Sequence, residues 1–191
     1  MRIATIVENT GAEGPGRRFA MWVQGCTIRC PGCCNPQMFA REGGTEWDAG
    51  DLAARVLATP EIEGLSILGG EPFEQAEALA ELTRAVRAGG RSVMTYTGYT
   101  LAELRARGDA ATDAALASTD LLVDGRFDAA LYETKRRWIG SSNQALHFLS
   151  DRYAHDDPRF HEPNTVEIQV RDGEIVFTGW PTVGRGLTRG R

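Results

Sequence analysis

From Ile3 to about Leu149, short apolar runs alternate with helix-patterned segments, and few folds accept that order. Arg2–Glu8, Phe19–Val23, Leu65–Leu68, Ser92–Tyr96 and Asp120–Asp124 read as strands, with a further strand at about Leu146–Leu149. Asp48–Ala58 places Leu52, Val56 and Leu57 on one side of a helix. Glu74–Ala88 carries Ala78, Leu79, Leu82 and Val86 near helical spacing and stops at Gly89-Gly90. Thr100–Arg107 is a short helix, opened by Thr100 and Glu103 in a capping-box pattern. The order predicts an α/β fold with a mainly parallel sheet. At 191 residues the chain is shorter than the roughly 250 of a complete eight-fold barrel. Beyond the alternating region, Val166–Val170 and Glu174–Thr178 flank Asp172-Gly173 as a hairpin, and the Gly/Arg-rich end Gly184–Arg191 reads as disordered. The chain therefore divides into a main domain over residues 1–150 and a C-terminal extension over 151–191.

All four cysteines, Cys26, Cys30, Cys33 and Cys34, fall within nine residues. Such a cluster cannot staple distant segments, so a secreted disulfide scaffold is excluded. Clustered thiols in a Gly/Pro loop point to metal or redox chemistry, with buried unmodified thiols as the plain alternative. Cys26-x3-Cys30-x2-Cys33 can wrap three thiolates round one centre. Structural zinc needs a fourth ligand, and Cys34 is poorly placed because adjacent side chains point apart. His147, His155 and His161 show no ligand spacing. Three ligands suit a four-iron cluster with one open iron, or another thiolate-bound metal. A net charge of -5 argues against binding nucleic acid by bulk charge. No apolar run reaches the roughly 20 residues of a membrane span, and the first residues carry no signal-peptide pattern, so the expected location is the cytoplasm.

Ligands of parallel sheets bind beyond the carboxyl ends of the strands. Gly25–Asn35, Gly69–Pro72 and Tyr96–Tyr99 all follow strands and are expected to share one pocket. The cysteine spacing resembles the signature of the radical S-adenosylmethionine (radical SAM) enzymes, and Gly69-Gly70-Glu71-Pro72 is similar to their glycine-rich strand end. In order along the chain, Val23–Asn35, Tyr96-Thr97-Gly98-Tyr99, Leu122–Phe127 and Gly140–Gln144 resemble the activating proteins of anaerobic ribonucleotide reductases. Ile139 stands where those activators commonly have arginine, and Cys34 where an aromatic residue is frequent.

The resemblance implies a partial β/α barrel with a [4Fe-4S] cluster on Cys26, Cys30 and Cys33. It implies S-adenosylmethionine against Gly32, Cys33, Cys34, Gly69, Gly70, Glu71, Tyr96, Thr97 and Gly98, with Glu71 and the two glycines receiving the amine and Asp124 near the cofactor. One electron from the cluster would split the sulfonium to give a 5'-deoxyadenosyl radical. That radical would take hydrogen from a glycine of a glycyl radical enzyme, the anaerobic ribonucleotide reductase. No protein acid or base is required. A flavodoxin- or ferredoxin-like protein would supply the electron. Other readings are a radical SAM enzyme with another glycyl radical enzyme, peptide or small molecule as target, and a non-enzymatic iron–sulfur or zinc protein. Taken singly, Glu71 reads as a helix-start carboxylate, Asp124, Ser141, Ser142 and Asn143 as turn residues, Trp22, Trp47, Trp138 and Trp180 as core, and Arg17-Arg18 and Arg136-Arg137 as solvated surface or a landing for an acidic electron donor.

Overall fold

The computed structural model describes residues 1–171 and 174–179. The chain opens with antiparallel strands β1 (Arg2–Thr10) and β2 (Arg18–Val23), which are joined through a glycine-rich loop. A two-residue strand β3 (Thr45–Glu46) pairs with the start of β1. Helix α1 (Ala49–Ala58) follows, its first N–H groups taken by the Asp48 side chain. Strand β4 (Gly64–Gly69), a 3₁₀ turn (Pro72–Gln75), helix α2 (Ala76–Ala88) and strand β5 (Ser92–Tyr96) come next. The helix expected from Glu74 thus begins as a tighter turn, because Pro72 starts it and Glu71 caps it. Helix α3 (Leu101–Ala106) carries the expected capping box of Thr100 and Glu103. Helix α4 (Ala110–Ala117), which the sequence pattern did not reveal, is capped by Asp109. Strand β6 (Leu121–Asp124) and the antiparallel strand β7 (Ala145–Phe148) close the sheet, and β8 (Val166–Arg171) and β9 (Glu174–Gly179) form the expected hairpin.

The main sheet runs β3-β1-β2-β4-β5-β6-β7. Its centre, β2 to β6, is parallel, and antiparallel strands finish both sides. Side chains alternate between the two faces. Phe19, Met21, Leu65, Ile67, Val93 and Leu122 belong to one core cluster with α1, α2 and α4. On the opposite face, Met94, Leu121 and Val123 pack with Trp138, Ile139 and Tyr153 from the later loops. The expected disorder of Gly184–Arg191 lies outside the described residues, as does Trp180.

The arginine pairs differ from expectation. Arg17 is exposed, but Arg18, the next residue and the first of β2, points into the protein and is wholly buried. Its guanidinium donates to Ser66 Oγ at 3.0 Å, Ser92 Oγ at 2.5 Å and the Leu65 carbonyl at 2.5 Å. Arg137 is also buried and holds Glu162 at 2.7 Å. A buried guanidinium needs such partners, so neither Arg18 nor Arg137 is a surface landing for an electron donor. Among the described residues no helix is long and apolar enough to cross a membrane.

Candidate functional site

The four parallel strands end side by side, and each releases a loop that carries chemistry. β2 gives the cysteine loop, β4 gives Gly69-Gly70-Glu71, β5 gives Thr97-Gly98, and β6 gives Gly125–Phe127. The loops are stitched together by backbone bonds. Gly70 N–H donates to the Val23 carbonyl and Glu71 N–H to the Gly25 carbonyl, each at 2.8 Å. The approach is so close that a Cβ on Gly70 would sit 2.2 Å from the Gly25 oxygen. Only glycine allows the second loop to lie against the first.

Glu71 is the hub of this arrangement. Its carboxyl is 1% exposed. Oε1 accepts from Phe73 N–H at 3.0 Å and Thr97 Oγ1 at 2.8 Å, and Oε2 accepts from Gly98 N–H at 2.8 Å. Burial pushes its pKa up to about 7, and the three hydrogen bonds hold it from rising further. A Cβ on Gly98 would meet Ile28 Cδ1 of the cysteine loop at 2.7 Å. Glu71 and Gly98 therefore stand directly beneath that loop. Thr27 N–H reaches Glu74 at 2.9 Å and anchors the loop's first turn to the 3₁₀ turn before α2.

Cys26, Cys30, Cys33 and Cys34 are all partly buried, and no disulfide joins them. Pro31 and Gly32 form a turn closed by Cys33 N–H to the Cys30 carbonyl at 3.1 Å. Asn35 N–H lies 3.4 Å from the Cys33 sulfur. Burial raises the Cys26 thiol pKa, against N–H bonds from Arg29 and Ile28, and the Glu71 and Glu74 carboxylates add to the rise. Burial also raises Cys30, against an N–H bond from Phe127. Backbone donors to the two sulfurs thus offset part of the cost of burial. The donor set fits an iron–sulfur cluster: Cys26, Cys30 and Cys33 are three disulfide-free thiols on one short loop, each receiving a backbone N–H. Among the described residues, no group of three or more His, Cys, Asp or Glu side chains is gathered tightly enough to hold a single metal ion.

Beside this loop, on the sheet face away from the helices, lies a cavity of about 540 Å³. Cys34, Asn35, Trp22, Tyr96 and Trp138 line it, and Val166, Val176, Phe177 and Thr178 of the hairpin form one wall. Trp22, expected as core, therefore faces the cavity, and Trp138, buried in the core as expected, forms part of the same wall. Glu13 also lines it. Its Oε1 accepts from Gly179 N–H at 2.6 Å, and burial pushes its pKa up to about 7. Burial likewise raises Tyr96, with the Glu13 charge adding to the effect. Sequence reasoning missed Glu13, because a lone glutamate in a glycine-rich loop looks like solvated surface.

Asp124 accepts from Leu101 N–H at 2.6 Å and stands 2.9 Å from His147 Nε2. Its carboxyl is committed to bracing α3 against β7. The Gly140–Gln144 turn is sewn to the loop after β6 by Gln144 Nε2 to the Gly125 carbonyl and Asn143 Nδ2 to the Arg126 carbonyl, both at 2.8 Å. Gly140 and Gln144 also reach the cavity.

A loop of thiols at the carboxyl end of a parallel sheet defines a class, and comparison agrees. Residues 12–147 match the family described as a 4Fe-4S single cluster domain. The chain is 34% identical to the anaerobic ribonucleoside-triphosphate reductase-activating protein of Vibrio cholerae, over 71% of this chain and 90% of that one. It is 33% identical to the protein of the same name from Escherichia coli, over 72% and 92%. Identity to that of phage T4 is 30%, over 70% and 85%. The chain belongs to the anaerobic ribonucleoside-triphosphate reductase-activating protein family.

Proposed function

We propose that this protein is the radical SAM activating enzyme of an anaerobic ribonucleoside-triphosphate reductase and installs a glycyl radical on it. The observation that carries this reading is the joining of three loops at Glu71, whose N–H bonds the cysteine loop and whose carboxyl holds Thr97 and Gly98, in a chain of this family. We read the sheet, with helices on one face and the cavity on the other, as a partial β/α barrel.

Cys26, Cys30 and Cys33 would hold the [4Fe-4S] cluster, with S-adenosylmethionine beside it. When bound, this pair supplies one-electron cleavage of the sulfonium and a carbon radical strong enough to take hydrogen from glycine. The chain's own residues bind and orient. Gly69 and Gly70 offer bare backbone beneath the cysteine loop, where the amine of the cofactor is received. Glu71, buried behind the loops and outside the cavity lining, holds Gly98 and Thr97 in place. Gly32, Cys33 and Cys34 would form the cluster side; of these Cys34 lines the cavity, as does Tyr96 on the apolar side. The apolar lining of the cavity, with Trp22 and Trp138, excludes water from a reactive carbon radical. A flavodoxin- or ferredoxin-like donor supplies the electron.

The test is anaerobic loading with iron and sulfide, reduction, addition of S-adenosylmethionine and assay of 5'-deoxyadenosine, with Cys30→Ala in parallel. Product is expected from the native chain and none from the variant. Addition of the reductase is expected to give a glycyl radical signal in electron paramagnetic resonance. A loaded native protein that makes 5'-deoxyadenosine but never a radical on the reductase refutes the assignment of target. A second reading, a small-molecule target, draws on the hairpin wall, which narrows the cavity to the size of small-ligand pockets.

A further inference from the structure

The hairpin of β8 and β9 begins after residue 147, where the family match ends. Its two faces are turned the opposite way from a normal surface hairpin. Ile168 pairs with Phe177 and Val170 with Ile175, so these four side chains share one face. They are exposed by 56%, 38%, 72% and 60% respectively. The other face, with Glu167, Gln169, Val176 and Thr178, is turned to the protein and anchored by polar groups. Glu167 accepts from Gly11 N–H at 2.6 Å, Thr178 Oγ1 lies 2.6 Å from Thr10 Oγ1, and Gln169 Nε2 donates to the Asn9 carbonyl at 2.7 Å. An apolar cross-strand patch held in solvent by buried polar anchors marks an interaction surface.

We infer that this outward face is the docking surface for the reductase, gripping an apolar patch beside the segment that carries its target glycine. The inference rests on the function proposed above. Two observations select this occupant. First, Phe177 belongs both to the exposed patch and to the cavity wall, so the patch runs into the cavity rim. A cavity of about 540 Å³ can admit a cofactor and an extended strip of backbone but no folded domain. The body of a protein substrate must therefore rest on the rim, and the hairpin is that rim. Second, four side chains cover far less than the roughly 800 Å² per partner of a stable dimer. A contact this small suits a partner that docks and leaves after each turnover, and not a permanent second copy.

The experiment compares the full-length, cluster-loaded native protein with Val170→Glu/Ile175→Glu and with the milder Val170→Ser/Ile175→Ser. Neither residue lines the cavity. Four quantities are read: 5'-deoxyadenosine formation without reductase, the KM for reductase in glycyl radical formation, the sedimentation of each protein and its unfolding midpoint. Unchanged 5'-deoxyadenosine formation shows that the variants are folded. The KM is expected to rise about tenfold or more in the glutamate variant and less in the serine variant, since apolar anchors dominate such contacts. An unchanged KM in both variants overturns the inference. A native dimer that becomes monomeric in the variants overturns it in favour of a second copy. A lowered unfolding midpoint with unchanged KM overturns it in favour of cover by residues 180–191. Native protein that makes 5'-deoxyadenosine but no radical on the reductase overturns the functional proposal and this inference together, whereas a working native protein with indifferent variants overturns only this inference.

Discussion

Replacing Glu71 by alanine tests whether one carboxyl holds the site together. In the native protein it satisfies three donors, Phe73 N–H, Gly98 N–H and the Thr97 hydroxyl. Alanine removes all three acceptors. The Thr97 hydroxyl can rotate, and Thr97 Oγ1 also accepts from Tyr99 N–H. The two backbone N–H groups are fixed and stay buried without partners, at about 1–3 kcal/mol each. Release of a desolvated carboxyl returns part of that, leaving a net loss of about 3 kcal/mol. For a chain of this size that lowers the unfolding midpoint by about 6–12 °C. Glutamine keeps one acceptor oxygen but turns an NH₂ toward the remaining donor, so it should lose only about 1–2 kcal/mol. The assay is urea unfolding of the reduced, metal-free protein at pH 7, followed by tryptophan fluorescence. The order native, Gln, Ala is expected. Ala within about 1 kcal/mol of native, or Gln worse than Ala, refutes the hydrogen-bond accounting. In loaded protein, Glu71→Ala should also weaken S-adenosylmethionine binding, and unchanged affinity would remove Glu71 from the amine site.

Two further outcomes follow from the geometry. Glu13 has a folded pKa of about 7, above its unfolded value, so the folded state binds the extra proton and stability falls as pH rises from about 4.5 to 7. Glu13→Gln removes that contribution. Its stability relative to native should therefore rise across that window, by up to about 3 kcal/mol, and a difference independent of pH in urea titrations would contradict the burial of this carboxyl. Gly70→Ala places a Cβ 2.2 Å from the Gly25 oxygen and must push the cysteine loop off the second loop. Iron content after reconstitution should fall severalfold, and native iron stoichiometry in this variant would show that the contact does not set the loop.

The legible parts of this fold were those where one local rule decides. The central strands are short apolar runs because both their faces are covered, and the cysteine loop announces itself by spacing alone. Helix α4 was missed because Ala110–Ala117 is mostly alanine, with no sharp apolar stripe for a periodicity argument to find. Arg17 and Arg18 look equivalent in sequence, yet the second opens β2 and points inward, and only the positions of Ser66, Ser92 and Leu65 explain how its charge is tolerated there. Glu71 was legible as a site residue, but its partners come from the loop after β5, 26 and 27 residues on. Such a bracket is a product of strand order, which local pattern does not contain.

The hairpin shows how far pattern reading goes and where packing takes over. Alternation of Val166, Ile168 and Val170 correctly marks a strand with one apolar face, and the usual rule turns that face inward. Here the edge it meets, at Asn9 to Gly11, offers a hydroxyl, a backbone N–H and a carbonyl. Glu167, Gln169 and Thr178 match those groups, and burying the apolar face there instead would strand all three without partners. The polar match decides the orientation, and the apolar face is left outward as a consequence. The same hairpin supplies Gly179 N–H to the buried Glu13 carboxyl at the cavity wall. Whatever seats on the outer face is thus linked through a two-strand sheet to a charge-bearing group inside the cavity. Under the docking inferred above, the contact surface and the cavity wall share one structural element, and a partner that shifts the hairpin must also change the environment of Glu13.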